Sequence, residues 1–225
     1  MTPMRELWMI ARKDLRIERQ SRVLVNQVLP FALLIIVLFG LALDADRATL
    51  RQFSPGLFWV TVLLVSLLAL QRSVAIETAD GAVEGLRLAG IDPWRIFGGK
   101  MLAITLQLLV LEVALVLGIV VFYDAAIEDG LLVVVVGVVA ALGISAAGTL
   151  YGVVAVGLGV RETLLPILLL PILAPVLIGA TRAYGDAFGT TAVNGWAWLG
   201  LLFAFAVVYT IVGAVAYGAI LEDVQ

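Results

Sequence analysis

The chain has 225 residues, of which 63% are hydrophobic and 14% charged, and its mean hydropathy is +1.12. Soluble domains carry roughly 25% charged residues, so this composition excludes a soluble globular protein and indicates a polytopic membrane protein. The net charge of −3 decides little, while the absence of Cys and His excludes disulfides, thiolate chemistry and imidazole ligation from this chain alone.

Segment 1–22 is polar and basic. Met4, Leu7, Trp8, Ala11 and Leu15 share one helical face, and Arg5, Arg12, Arg16 and Arg19 cluster on a neighbouring one. That pattern predicts an interfacial helix, its apolar face in the headgroup boundary and its arginines toward anionic lipid. A signal peptide fits poorly, because the charged region is long and no small-residue cleavage site follows Gly40.

Residues 23–43 form the first expected span. At about 1.5 Å per residue, 21 residues reach about 31 Å, enough for a ~30 Å hydrocarbon core. Pro30 predicts a kink in it. Residues 44–54 read as a polar loop. Pro55 opens a second span, 55–70, with Trp59 in the interfacial aromatic belt.

The stretch 71–96 is the long polar interruption. Arg72, Glu77, Asp80, Glu84, Arg87, Asp92 and Arg95 recur along it. Asp80-Gly81 is placed to start a short helix, and Gly90 to end it. Asp92-Pro93 starts the next helix, with Pro at its first position. On the short helix expected at 80–89, Val83, Leu86 and Leu88 are apolar, and Glu84 and Arg87 stand three apart, close enough to pair. The stretch therefore predicts a helical hairpin that receives a partner's push, against the alternative of a solvated loop. Arg72 has two compatible readings: a headgroup snorkel, or an ion pair with Glu77 or Asp80.

Four further spans follow at 97–123, 131–160, 163–181 and 195–220. The third carries Gln107 and Glu112 in its interior. The fourth is rich in glycine, and Gly148-xxx-Gly152 allows close helix approach. The fifth contains Pro166, Pro171 and Pro175, which remove three backbone donors and predict a kinked or broken helix. Residues 182–194 read as a polar loop, and Trp196 and Trp198 enter the sixth span. The expected fold is all-α, with six transmembrane helices in one permease domain. Eleven of the fourteen basic residues fall on the side of the termini and of 71–100, which the positive-inside rule assigns to the cytoplasm.

Nucleotide chemistry is absent. Gly98-Gly99-Lys100 resembles the end of a phosphate loop, but Trp94 stands where that motif needs Gly and Met101 where it needs Ser or Thr. No metal cluster, catalytic triad or nucleic-acid surface is legible. Glu112 is the one carboxylate deep within a span. It reads first as a hydrogen-bond anchor, with Gln107 or another helix as partner, and otherwise as a functional site.

Three blocks resemble the haem exporter B family, the permease of the cytochrome c maturation system. They are Pro55 to Trp59 with the Leu-rich run to Gln71-Arg72; Glu77 to Glu84 with Asp80-Gly81 between, closing on Pro93 and Lys100; and the proline-rich run Leu170 to Gly179. Gln71 departs from the family's usual Glu, Gly85 interrupts a typically bulkier stretch, and the loops carry few of the family's polar residues. The resemblance covers nearly the whole chain. It implies a non-catalytic permease subunit in the bacterial cytoplasmic membrane, pairing with a separate ATP-binding cassette subunit and with haem-handling membrane subunits. A second copy of the chain is also implied. Haem would be cargo of the complex, and ATP would be bound by the partner. A cytoplasmic helix between the second and third spans docks on the ATPase in such transporters. Here that assigns ATPase coupling to Glu77, Asp80, Gly81, Glu84, Leu86 and Arg87. Rival readings are an exporter permease for another hydrophobic cargo, a non-transporting membrane scaffold, and an ion-coupled carrier with Glu112 as its proton site.

Overall fold

The structure, a computed structural model, describes residues 3–43, 46–80, 90–157 and 161–223. Among them the fold is all-α, without strands. Helix α1 spans Pro3–Ser21. A π-helical turn, Leu24–Val28, runs into α2, Leu29–Ala42. Then come α3 (Arg47–Asp80), α4 (Pro93–Tyr123), α5 (Gly130–Gly157), α6 (Arg161–Ala187) and α7 (Gly195–Asp223). Six of these stretches are long and apolar enough to cross a membrane, the first being Leu24–Ala42. In hydrocarbon every backbone donor needs an internal partner, which is why such segments are helical throughout.

Several helix ends differ from the sequence expectation. The polar stretch before Pro55 is helical from Arg47, because Asp46 caps it: the Thr49 amide donates to Asp46 Oδ1 at 2.8 Å. Pro55 therefore lies inside α3 instead of opening it. Its missing N–H leaves the Arg51 carbonyl without a helical donor, and the Ser54 hydroxyl supplies one at 2.8 Å. Trp59 is correspondingly deep. It is fully buried against Phe58 and Tyr184, with ring centroids at 5.3 and 5.1 Å, and is no part of an interfacial belt.

Upstream of Pro30 the chain takes a π-helical turn, and Pro30 falls in the first turn of α2. Helix α6 runs unbroken through Pro166, Pro171 and Pro175, the last two on its exposed face. It continues to Ala187, so the polar stretch after Thr181 is helical for its first half.

Helices α3 and α5 are the innermost. The main core joins Phe58, Val62 and Leu70 of α3 to Leu108, Leu111 and Leu115 of α4, Val136 and Ile144 of α5, and Leu169 and Leu173 of α6. Leu38, Val113, Leu117, Phe203, Ile211 and Val215 face outward, as lipid-facing residues do. The glycines of α5 make room for side chains of α3. A Cβ at Gly148 would collide with the Leu70 side chain, and one at Gly152 would lie 2.8 Å from Val74 Cγ2. Leu70 and Val74 stand one turn apart on α3, and Gly148 and Gly152 one turn apart on α5, so two knobs enter two notches.

Gly148→Ala is expected to destabilise the protein by about 1–3 kcal/mol through overpacking. Leu70→Ala in the same chain should recover part of that loss, measured as a coupling energy in detergent unfolding titrations.

Asp46 predicts a pH effect at the start of α3. Hydrogen bonds from the Thr49 amide and hydroxyl hold its carboxyl below the usual carboxylate value. The cap's contribution is thus complete above the unfolded carboxyl's pKa and fades as pH falls through the lower folded value. Amide exchange at residues 47–50, corrected for intrinsic rate, should speed up on acidification below about pH 4. In Asp46→Asn it should not.

Candidate functional site

Helix α1 lies across the ends of α3 and α4 and pins both. Arg95 donates from Nη1 to Glu6 Oε2 at 2.5 Å and from Nη2 to Asp92 Oδ2 at 2.6 Å. Lys100, almost wholly buried, places Nζ 3.8 Å from Asp14 Oδ2. Arg72 donates from Nε to Glu18 Oε2 at 3.1 Å and from Nη2 to Ser21 Oγ at 2.8 Å. Glu18 also turns the corner into the first span, because its Oε1 accepts the Leu24 amide at 2.6 Å. At that corner Arg22 adopts a left-handed φ of 52°.

The sequence permits this seat for two reasons. Glu6, Ile10, Asp14 and Glu18 are spaced by four, so they share a slowly winding stripe. Gly98 and Gly99 open the surface of α4 beneath it. A Cβ at Gly98 would lie 2.5 Å from Leu7 Cδ2, and one at Gly99 2.7 Å from Ile10 Cβ. The diglycine is a socket for α1. Ile10 then joins Ile96, Phe97, Leu150 and Tyr217 in a second apolar cluster.

Between the two pinned ends lies the predicted coupling segment. Helix α3 is continuous to Asp80, so Asp80 ends a helix where the sequence placed the start of one. The side chains of Glu77 and Asp80, and all of Gly81, Glu84, Leu86 and Arg87, lie outside the described residues. The chain re-emerges at Gly90, whose φ of 74° is a left-handed conformation that glycine adopts without strain. Pro93 occupies the first turn of α4, as expected. Arg72 pairs with α1 through Glu18 and Ser21, a partner the sequence reading missed. The acids at spacing four were its only sequence signal.

A second polar cluster sits inside the bundle. Glu112 is buried, and its Oε1 has no hydrogen-bond partner among the described residues, so the anchor expected through Gln107 is not formed at that oxygen. Gly137 makes room for it. A Cβ there would lie 2.7 Å from Glu112 Oε2 and 3.3 Å from the Tyr184 hydroxyl. Tyr184 donates to the Val133 carbonyl at 3.1 Å and packs on Trp59, whose Nε1 is also buried and has no partner among the described residues. Glu112, Tyr184 and Trp59 thus form one polar island joining α3, α4, α5 and α6.

At the far end, Arg51 pairs with Asp124, and Asp129 accepts both the Leu132 amide at 3.0 Å and the Trp196 indole at 3.2 Å. A cleft of about 340 Å³ opens there between Ala48, Arg51, Gln52, Glu128, Phe188 and Thr190.

Residues 5–223 match the family described as CcmB protein. This chain belongs to the CcmB family. It is 30% identical over 213 residues to Heme exporter protein B of Pseudomonas aeruginosa, covering 90% of this chain and 91% of that protein. Heme exporter protein B of Paracoccus denitrificans is 30% identical over 181 residues, covering 76% and 78%. The protein of that name from Escherichia coli K12 is 37% identical over 81 residues, which span 36% of this chain and 37% of that relative. The chain thus matches little more than a third of the length of the Escherichia coli protein.

Glu18→Gln and Arg72→Gln should each loosen α1. Their double mutant should show a coupling of about 0.5–1 kcal/mol, the value of a well-placed, partly exposed pair, in thermal unfolding of the detergent-solubilised protein.

Proposed function

We propose that this chain is the permease subunit of an ABC-type transporter that serves haem export or delivery for cytochrome c maturation. The observation that carries this reading is the match to the CcmB family along almost the whole chain, with relatives named Heme exporter protein B. Six candidate spans fit a multi-pass protein of the bacterial cytoplasmic membrane. The excess of Lys and Arg beside 71–100 supports placing both termini, and that stretch, in the cytoplasm.

In this reading the permease is non-catalytic, and a separate ATP-binding cassette subunit binds and hydrolyses ATP. The subunit docks on the stretch holding Glu77, Asp80, Gly81, Glu84, Leu86 and Arg87. One observation supports the placement. The two ends of the stretch are held by one helix, α1, so a push there reaches α3 and α4 together. Haem is cargo of the complex, or the ATP cycle drives its release from a partner chaperone. With no His in the chain, an axial histidine must come from a haem-handling partner subunit. Two ATPase subunits would meet two copies of this chain.

Affinity purification from mild detergent tests the assembly; recovery of the chain without any ATP-binding subunit would remove the coupling argument. Asp80→Ala with Glu84→Ala should lower cytochrome c yield at least about tenfold, the effect of losing a typical coupling energy, while the chain still reaches the membrane. Glu112→Gln, which keeps volume and hydrogen bonding, should retain most of the yield. The reverse pattern would favour an ion-coupled carrier working through Glu112.

A further inference from the structure

Helix α1 sorts its charges by face. Its acids Glu6, Asp14 and Glu18 turn inward and are paired with Arg95, Lys100 and Arg72. Arg5, Arg12, Arg16 and Arg19 are all exposed, and among the described residues none of the four has an ion-pair partner. Met4, Trp8 and Met9 stand out beside them, Met4 at 75% and Trp8 at 52% exposure. The inward apolar residues Leu7, Ile10 and Ala11 are taken up by the rest of the chain, Leu7 and Ile10 on the diglycine of α4. The outward face is therefore cationic, with an aromatic and two thioethers interleaved.

Its depth is set by what it touches. The contacts on α4 run from Arg95 to Lys100, within the first eight residues of the candidate span Pro93–Tyr123. Eight residues rise about 12 Å, so α1 lies near the span's end. At its other end α1 leads through Arg22 directly into the candidate span that begins at Leu24. A helix fixed at both ends to the starts of spans lies along the boundary between hydrocarbon and water.

We infer that the outward face of α1 is a binding surface for anionic phospholipid headgroups. Four unpaired guanidiniums at headgroup depth match phosphate in charge and in bidentate geometry. Trp8 occupies the level that indole rings favour. The inference differs from a plain amphipathic anchor. Here the large apolar residues are mostly spent on the protein, so attraction to lipid is electrostatic and selective for headgroup charge. It does not rest on the proposed cargo.

The test uses the full-length protein in bilayers containing phosphatidylglycerol or phosphatidylcholine brominated on the acyl chain near the headgroup, at equal fraction. Tryptophan quenching is read as the part removed by Trp8→Phe. Brominated phosphatidylglycerol should quench Trp8 at least about threefold more than brominated phosphatidylcholine. Raising salt to 0.5 M should erase most of the difference without any substitution, because exposed charges are then screened within a few ångströms. Arg12→Gln with Arg16→Gln and Arg19→Gln should erase it at low salt. Arg47→Gln with Arg182→Gln, at the other end of the bundle, should leave it intact. Equal quenching by the two lipids would reduce the face to apolar seating and overturn the inference. Absence of Trp8 quenching by either lipid would mean that protein or water covers the face, and would overturn it as well.

Discussion

The seating of Leu70 and Val74 in the notches at Gly148 and Gly152 is the contact on which the arrangement of this bundle depends. Lipid tails are as apolar as leucine, so helices in a membrane gain little from burying hydrophobic side chains against each other and must gain from close packing. Two glycines one turn apart give the Leu70 and Val74 side chains of α3 room on α5. Hydrogen bonds tie further helices into the bundle. Tyr123 ties α4 to α2 by donating to the Ile36 carbonyl at 2.6 Å. Thr105 and Ser145 share a 2.6 Å hydrogen bond between α4 and α5. Each polar group of this kind acts as a register mark, because a slip of one residue would strand it in hydrocarbon.

The order and number of spans were legible from hydropathy, because twenty consecutive apolar residues have few other uses. Their ends were not. A proline after a polar stretch reads as a helix start, yet α3 begins eight residues before Pro55. Asp46 caps it there, and the Ser54 hydroxyl replaces the donor that proline lacks. These are single hydrogen bonds whose geometry no periodicity reports. Trp59 was misplaced for the same reason, since its depth follows from where its helix starts. Gly148-xxx-Gly152 was legible as a packing motif. The diglycine at 98–99 was legible only as a failed phosphate loop, because nothing local says that α1 will lie on it.

The N-terminal helix shows most clearly what a single-helix reading omits. Its arginines dominate the sequence, and they suggested a lipid-facing element. Its three acids, Glu6, Asp14 and Glu18, entered no reading of the sequence. In the fold the acids do the internal work, each meeting a basic residue at an end of α3 or α4. The basic partners Arg72 and Arg95 fall in the polar stretch 71–96 that the sequence assigned to coupling, and Lys100 follows just after it. Part of that stretch's charge therefore serves α1.

This arrangement constrains any mechanism in which a partner pushes on residues 81–89. Glu6 and Glu18 are twelve residues apart on one helix, about 18 Å. That rigid spacing fixes the distance between Arg95 at the start of α4 and Arg72 toward the end of α3. A force on the segment between them cannot spread the two ends without breaking an ion pair. The smallest moving unit is then α1 with both ends, and not the second and third spans alone. Any movement of such a unit would have to pass through its contact with α5, where Leu70 and Val74 sit over Gly148 and Gly152. The polar island of Glu112, Tyr184 and Trp59 lies among four helices, whose relative angle such a movement would change. A buried carboxyl oxygen and a buried indole N–H, both without partners among the described residues, are groups that a different helix angle has the means to satisfy.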